Sequence, residues 1–430
     1  MKRYQGNVII FLTIVVMLGI TNTGMAANEQ YVDKSNWQVL KGLMPENALN
    51  WVKTGDMILK YGNLTYDPAK VMPAWVIESK RENVGKYKLS DKGAIVEAAT
   101  GKFPKFIKGI PFPDIRRNDP DAAAKVMWNT IYMRNAQGAL RNELELKFFG
   151  RKTGYERSYW VDWYSKPFDA YEPAQSEPNP NNFESVNQIL IRSPYDMAGT
   201  AMMTWRYRTN KENMQYGYVP AIRRVRQLTP SGRSDALFGS DYSQDDSGYG
   251  IYDGAINYFN WKIIGEGECI GGFVSDKPIL VERNKRGEME FQLGKMVQFS
   301  YEKKGPRNSA APWFMDNGIW VKRPVWIIEG IPKDTYYNFG KQIFYIDKDM
   351  NFAHWKVIHD RTGKYWRMCW PYWAIGQVAD KSSSWIGVLI TTVLDERIQH
   401  ASTQNTTKYR CGASLNTNQF SLGGFTALCK

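Results

Sequence analysis

From about Glu143 onward the chain alternates apolar and polar residues with a period of two, and this limits the fold more than any other feature. Tyr155, Arg157, Tyr159, Val161 and Trp163 share one parity; Glu156, Ser158, Trp160, Asp162 and Tyr164 share the other. Side chains of a strand point alternately to its two faces, so such a run reads as a strand with one face turned to a core. Similar runs occur at Thr200–Thr209, Tyr216–Gln227, Glu288–Tyr301, Val325–Gly330 and Gln342–Ile346. Turns such as Asp347-Lys348-Asp349 and Arg361-Thr362-Gly363 separate them, which predicts successive antiparallel neighbours. No repeat of fixed period and no linker interrupts the pattern, so residues 27–430 are expected to form one α+β domain around a large antiparallel sheet. A sheet of that size must curl, and helices packed in its concavity would leave an apolar cleft.

Helices are few. Pro45, Leu49, Val52 and Gly55 outline one near the start, with proline in the first turn and glycine past the end. Strand patterns follow in Met57–Tyr66 and Gly85–Glu97. The clearest helix comes after the turn Gly109-Ile-Pro-Phe-Pro113: Asp119 and Pro120 open it, and Ala123, Val126, Met127, Thr130 and Ile131 recur at helical spacing through Arg134. Residues 173–182 and 231–254 read as surface loops, and the stretch from about 380 to 430 as an irregular tail rich in Ser, Thr and Asn.

The N-terminus carries an address. Lys2 and Arg3 precede the thirteen-residue apolar run Val8–Ile20, and Gly24-Met25-Ala26-Ala27 offers a small-residue cleavage site. This order marks residues 1–26 as a secretory signal peptide; the run falls short of the roughly 18–20 residues needed to cross a bilayer. Losing Lys2 and Arg3 takes the net charge from +13 to +11. For an exported chain that balance points to a membrane surface, lipopolysaccharide or an acidic protein, and away from nucleic acid. Cys269, Cys369, Cys411 and Cys429 allow three pairings in an oxidising compartment, of which a local Cys411–Cys429 bridge is the favoured one. No Cys-x-x-Cys pair occurs, which disfavours a metal site.

The chemistry-bearing inventory is thin. With only three histidines, no Gly-x-Ser-x-Gly elbow and no His-Glu-x-x-His, the chain is expected to be no enzyme, with no catalytic residues, no cofactor and no metal. His354 and His359 differ in parity and would face opposite sides of a strand. Arg206, Arg208, Arg223, Arg224 and Arg226 fall on neighbouring predicted strands, as a basic surface for anionic headgroups or as partners for Asp245 and Asp246, which with Asp241 and Asp253 form an acidic loop. That loop is either a set of hard oxygen donors for calcium or a group of turn and capping residues. Sixteen tryptophans are a rich supply, most of them expected in the core and a fraction along the open, curved sheet. Candidates to line an apolar cavity are Trp75, Phe112, Met127, Trp128, Ile131, Trp160, Trp205, Trp326 and Trp355, with Pro111–Pro113 and the helix through Arg134 as lid or plug.

Several segments, taken in order, resemble a known family: Gly109–Pro113 with Trp128-Asn129; Tyr218–Arg226; Asp245-Asp246 with Trp261–Gly265; Arg323–Glu329; Tyr345–Asp349 with Tyr365–Arg367; and the ending Phe420-Ser421 with Phe425–Leu428. The chain is similar to the domain-of-unknown-function 1329 family of Gram-negative bacteria from about residue 35 to its end. That resemblance implies a fold like the lipoprotein carriers LolA and LolB, an open, strongly curved half-barrel holding helices and an apolar cavity. It further implies a periplasmic carrier of a lipid-like molecule or lipoprotein acyl chain, working with an inner-membrane exporter and an outer-membrane protein. The alternative is an envelope module that docks through its basic surface. The family brings no catalytic residue set.

Overall fold

The computed structural model describes residues 30–302 and 310–429, so the expected signal peptide lies outside the described residues. In chain order the strands are β1 (Gln30–Val32), β2 (Leu59–Gly62), β3 (Tyr87–Leu89), β4 (Ile95–Glu97), β5 (Leu140–Gly150), β6 (Gly154–Pro167), β7 (Phe183–Ser193), β8 (Ala201–Tyr207), β9 (Met214–Val219), β10 (Arg224–Leu228), β11 (Phe259–Phe273), β12 (Ile279–Arg283), β13 (Met289–Phe291), β14 (Ile319–Pro332), β15 (Phe339–Asp347), β16 (Ala353–Asp360), β17 (Tyr365–Gln377), β18 (Ser384–Asp395), β19 (His400–Lys408) and β20 (Arg410–Cys411). The helices are α1 (Glu46–Thr54), α2 (Ala74–Glu82), α3 (Ala122–Asn135) and α4 (Leu422–Leu428).

Thirteen strands form one antiparallel path, β10-β9-β8-β7-β6-β5-β19-β18-β17-β16-β15-β14-β11. Short parallel pairings add β2 to β14 and bring β12 and the end of β11 against β17. Strand twist accumulates over so many neighbours, and bulges at Phe148/Phe149, Ile263/Gly265 and Tyr372/Trp373 sharpen the bend. Among the described residues β10 pairs with β9 alone, so the sheet stays an open half-barrel.

Helix α3 sits in the concavity. Its buried residues number 12 of 14, including Asn129, Thr130, Arg134 and Asn135. A helix buried all round must satisfy its polar side chains inside, and Asn129 does so by receiving the Phe112 amide at 3.1 Å and donating to the Phe112 carbonyl at 2.7 Å. Leu146, Phe148, Val161, Phe344, Trp373 and Ile386 face α3 from the sheet. Helix α1 and the Ala311–Met315 segment cover the convex side of β14–β18, where Phe314 stacks on Trp370 with ring centroids 5.2 Å apart. The C-terminal segment around Phe420 and Phe425 covers the convex side of β7–β9.

Five expectations are corrected. The stretch after residue 380 is not irregular: β18 and β19 lie mid-sheet, where Thr392 and Thr403 bond each other at 3.0 Å and make a polar strand compatible with burial. Tyr216–Gln227 is two strands, because Pro220 removes a ladder donor and the chain turns there. Of Glu288–Tyr301 only β13 pairs as a strand. The predicted surface loop 231–254 turns inward instead: Asp235, Ala236 and Gly239 stay exposed, but most of 240–254 is buried in the concavity. All four cysteines are free and buried, with Cys411 and Cys429 in different clusters, so the expected bridge is absent.

Candidate functional site

The concave face is occupied by α3 and by residues 233–256, here called the plug. Burial of a mostly polar segment requires partners for every charge. Asp253 takes two arginines, Arg134 at 2.5 Å from α3 and Arg206 from β8. Asp245 takes Arg233 and, at 2.8 Å, the hydroxyl of Tyr337. Asp246 takes Lys356 at 2.6 Å from β16 while also receiving the amide and hydroxyl of Ser243 at 2.8 and 2.7 Å. Asp241 receives Ser402 and His400, each at 2.7 Å. Tyr242 and Tyr249 donate to the carbonyls of Thr391 and Ile386 on β18. Gly250 crosses α3 so closely that a Cβ there would meet the Thr130 hydroxyl at 2.6 Å.

Titration follows these contacts. Burial alone would raise Asp253, but Arg206, Arg134 and Arg233 outweigh it and hold the carboxyl below its ordinary value. The hydrogen bond from His400 to Asp241, helped by Glu156, raises the imidazole above its ordinary value. Asp169 moves the other way: burial pushes it up to about 8, with Arg208 at 3.1 Å opposing.

The four acidic-loop aspartates thus point to different partners and do not converge on a calcium site. Among the described residues no group of three acidic, His or Cys side chains could hold a metal. Arg206 and Arg208 are buried, so the expected basic surface keeps only Arg223, Arg224 and Arg226, exposed around the edge strand β10. The alternative expectation, pairing of these arginines with Asp245 and Asp246, is not met: those two take Arg233 and Lys356, and the partner of Arg206 is Asp253. Both strand histidines are hydrogen-bonded as sheet residues, His354 to Asp347 at 3.0 Å and His359 to the Lys341 carbonyl at 3.2 Å.

Between the plug and β5–β9 a pocket remains. Leu144, Leu146, Val161, Ile189, Met202 and Val388 form its sheet wall; Leu237, Phe238 and Tyr242 form its roof; Thr204, Gln215 and Gln404 add polar points. Its volume open to the centre of a water molecule is about 80 Å³, room for roughly six waters at ~10–15 Å³ each. The roof is a tight hairpin in which Leu237 donates to the Tyr242 carbonyl at 2.7 Å. Phe238, at its tip, holds a left-handed backbone (φ 53°) that disfavours any residue with a Cβ.

None of the nine cavity candidates lines this pocket. Phe112, Met127, Trp128 and Ile131 belong to the packed interior around α3. Trp75 donates to the Ala136 carbonyl at 2.9 Å, and Trp205 to the Phe420 carbonyl at 2.8 Å under the C-terminal segment. Trp355 stacks on Trp320 in the convex cluster, Trp326 lies under Lys348, and Trp160 is exposed on the outer face of β6. Of the lid and plug readings for the Pro111–Pro113 turn and α3, their burial in the interior agrees with the second. The aliphatic wall could have been read from the inward parity of β5 and β6, whereas the roof residues carry no periodic signal.

Fold and site together define an open antiparallel half-barrel, plugged by its own helix and loop, with a small apolar pocket under the loop. Over residues 31–420 the chain matches the family described as protein of unknown function, DUF1329, and it belongs to that family. A putative outer membrane lipoprotein-sorting protein domain from Vibrio parahaemolyticus is similar at 14 % identity and TM-score 0.46, covering 70 % of this chain and 97 % of that one. A DUF1329 protein from Desulfovibrio piger gives 14 % and 0.46 over 72 % and 100 % of the two chains. A LolA superfamily protein from Nitrosomonas europaea gives 9 % and 0.40 over 70 % and 97 %. These likenesses are distant, and the half-barrel stands on the chain's own strand pairing. No curated protein matches the chain.

Proposed function

We propose that the protein is a non-enzymatic periplasmic carrier that takes a lipid-like apolar guest between the plug hairpin and β5–β9. The observation that carries this reading is the aliphatic wall from Leu144 to Met202, roofed by a hairpin whose tip residue Phe238 holds an unfavourable backbone conformation. The closed pocket is too small for an acyl chain, so loading requires the roof to lift. Each buried CH₂ would then contribute about 0.8 kcal/mol. Asp241 and Tyr242 tie the hairpin's second arm to β18 and β19, so the motion is confined to residues near 236–240.

A solvatochromic apolar dye, N-phenyl-1-naphthylamine, tests the reading. The wild-type chain should bind it, and Met202→Trp, which fills the pocket, should weaken binding at least about tenfold. A wild-type chain that does not bind, or a Met202→Trp variant that binds equally well, defeats the proposal. Organic extraction of protein purified from a periplasm should release a bound lipid.

A further inference from the structure

The strand registers gather six turns at one end of the sheet. They join β9 to β10, β7 to β8, β5 to β6, β18 to β19, β16 to β17 and β14 to β15, in that order around the rim. Two strands separate one tip from the next, about 10 Å at ordinary strand spacing. The three most exposed large hydrophobic residues of the described chain all sit on these tips: Tyr195 at 98 %, Tyr336 at 82 % and Ile398 at 68 %. Scattered exposed apolar residues are ordinary, but a shared edge for the three most extreme ones is not. The opposite end is different: neither residues 208–213 nor 378–383, its β8–β9 and β17–β18 turns, contain an exposed large hydrophobic.

Cations alternate with these residues. Arg223 borders the Tyr195 tip on one side and Lys152 on the other, while Lys364 lies between Ile398 and Tyr336; all three cations are exposed. Of the acids on the rim, Asp360 is engaged by Arg397 and Glu396 by Trp51, while Asp196 and Asp334 stay exposed and are outnumbered by the exposed cations Lys152, Arg223, Arg224, Lys333 and Lys364. Cross-links join four of the six tips in series: the Arg151 amide donates to the Gln399 carbonyl at 2.9 Å, Arg397 joins Asp360, and Arg361 donates to the Tyr337 carbonyl at 3.1 Å. A row of aromatic and aliphatic points between cations complements an anionic bilayer surface, where tyrosine settles at the headgroup level and lysine and arginine meet phosphates.

We infer that this rim docks the protein peripherally on an anionic lipid surface. The inference is independent of the pocket, since the two share no residue. Vesicle co-sedimentation of the full mature chain tests it, with phosphatidylglycerol-rich vesicles against pure phosphatidylcholine. Wild type should sediment with the anionic vesicles and lose binding in high salt. The triple variant Tyr195→Ser, Tyr336→Ser, Ile398→Ser should bind them at least about tenfold more weakly, as should Lys152→Glu with Lys364→Glu, and both should melt with the wild type because the side chains are exposed. Met202→Trp should still dock, which separates failure of this inference from failure of the carrier reading. Equal binding to both vesicles, no binding to either, undiminished binding by the triple variant, or use of the rim only by a protein partner would each overturn it.

Discussion

The two halves of the concave face are filled differently by one plug. Opposite β15–β18 the plug offers Tyr249, Ile251 and Tyr252, which meet Trp373 and Phe344 in a continuous interior; there Phe352 stacks on Trp373 with ring centroids 3.9 Å apart. Opposite β5–β9 it offers Ser240, Ser243, Gln244, Ser247 and Gly248, too small to reach the aliphatic wall, and the pocket is what they leave. The room left beneath the plug therefore follows side-chain volume in the plug, and the buried ion pairs keep that plug in register.

The largest expected effect comes from uncoupling the plug from both halves. Asp253→Ala leaves Arg134 and Arg206 buried without their shared partner and should cost about 3–5 kcal/mol, read by urea denaturation. Next, adding volume should discriminate between the halves. Val393→Phe in the packed half should destabilise by about 1–3 kcal/mol, while Val161→Phe, at the pocket wall, should cost clearly less; equal costs would erase the contrast.

A smaller effect concerns pH. His400 is raised in the folded state by Asp241, so its contribution is complete below the ordinary histidine value of about 6.5 and is lost as pH rises through the raised value. Thermal melts should show stability falling over that window, and His400→Gln should flatten the profile. The smallest change in stability is expected from Phe238→Gly, which relieves the left-handed backbone while removing a half-buried ring. Its net effect on unfolding should stay within about 1 kcal/mol, yet stopped-flow dye uptake should be faster than in the wild type.

The motif segments that marked the family turn out to be contacts seen from the sequence side. Phe112 and Asn129 clamp the proline turn to α3. Arg323 holds Asp347 at 2.8 Å and Asp349 at 2.9 Å, linking two further segments, and Asp246 reaches Lys356. The helix signals near Glu46 and Ala122 were also legible, Gly55 ending α1 with a left-handed conformation (φ 87°). What misled was polarity. The segment 231–254 has the composition of a loop, and β19 that of a tail, because composition counts polar atoms without showing which partners they meet.

Alternation, turn residues and cap residues are local properties, so the amino-acid order alone determined that this chain builds a long antiparallel sheet with few helices. Which tryptophans face inward, which arginines are buried, where the pocket opens and which turns share one rim depend on contacts between residues more than a hundred positions apart, such as Arg134 with Asp253. Only the curled sheet brings those residues together, and burial then decides whether a charge becomes a strut or a surface.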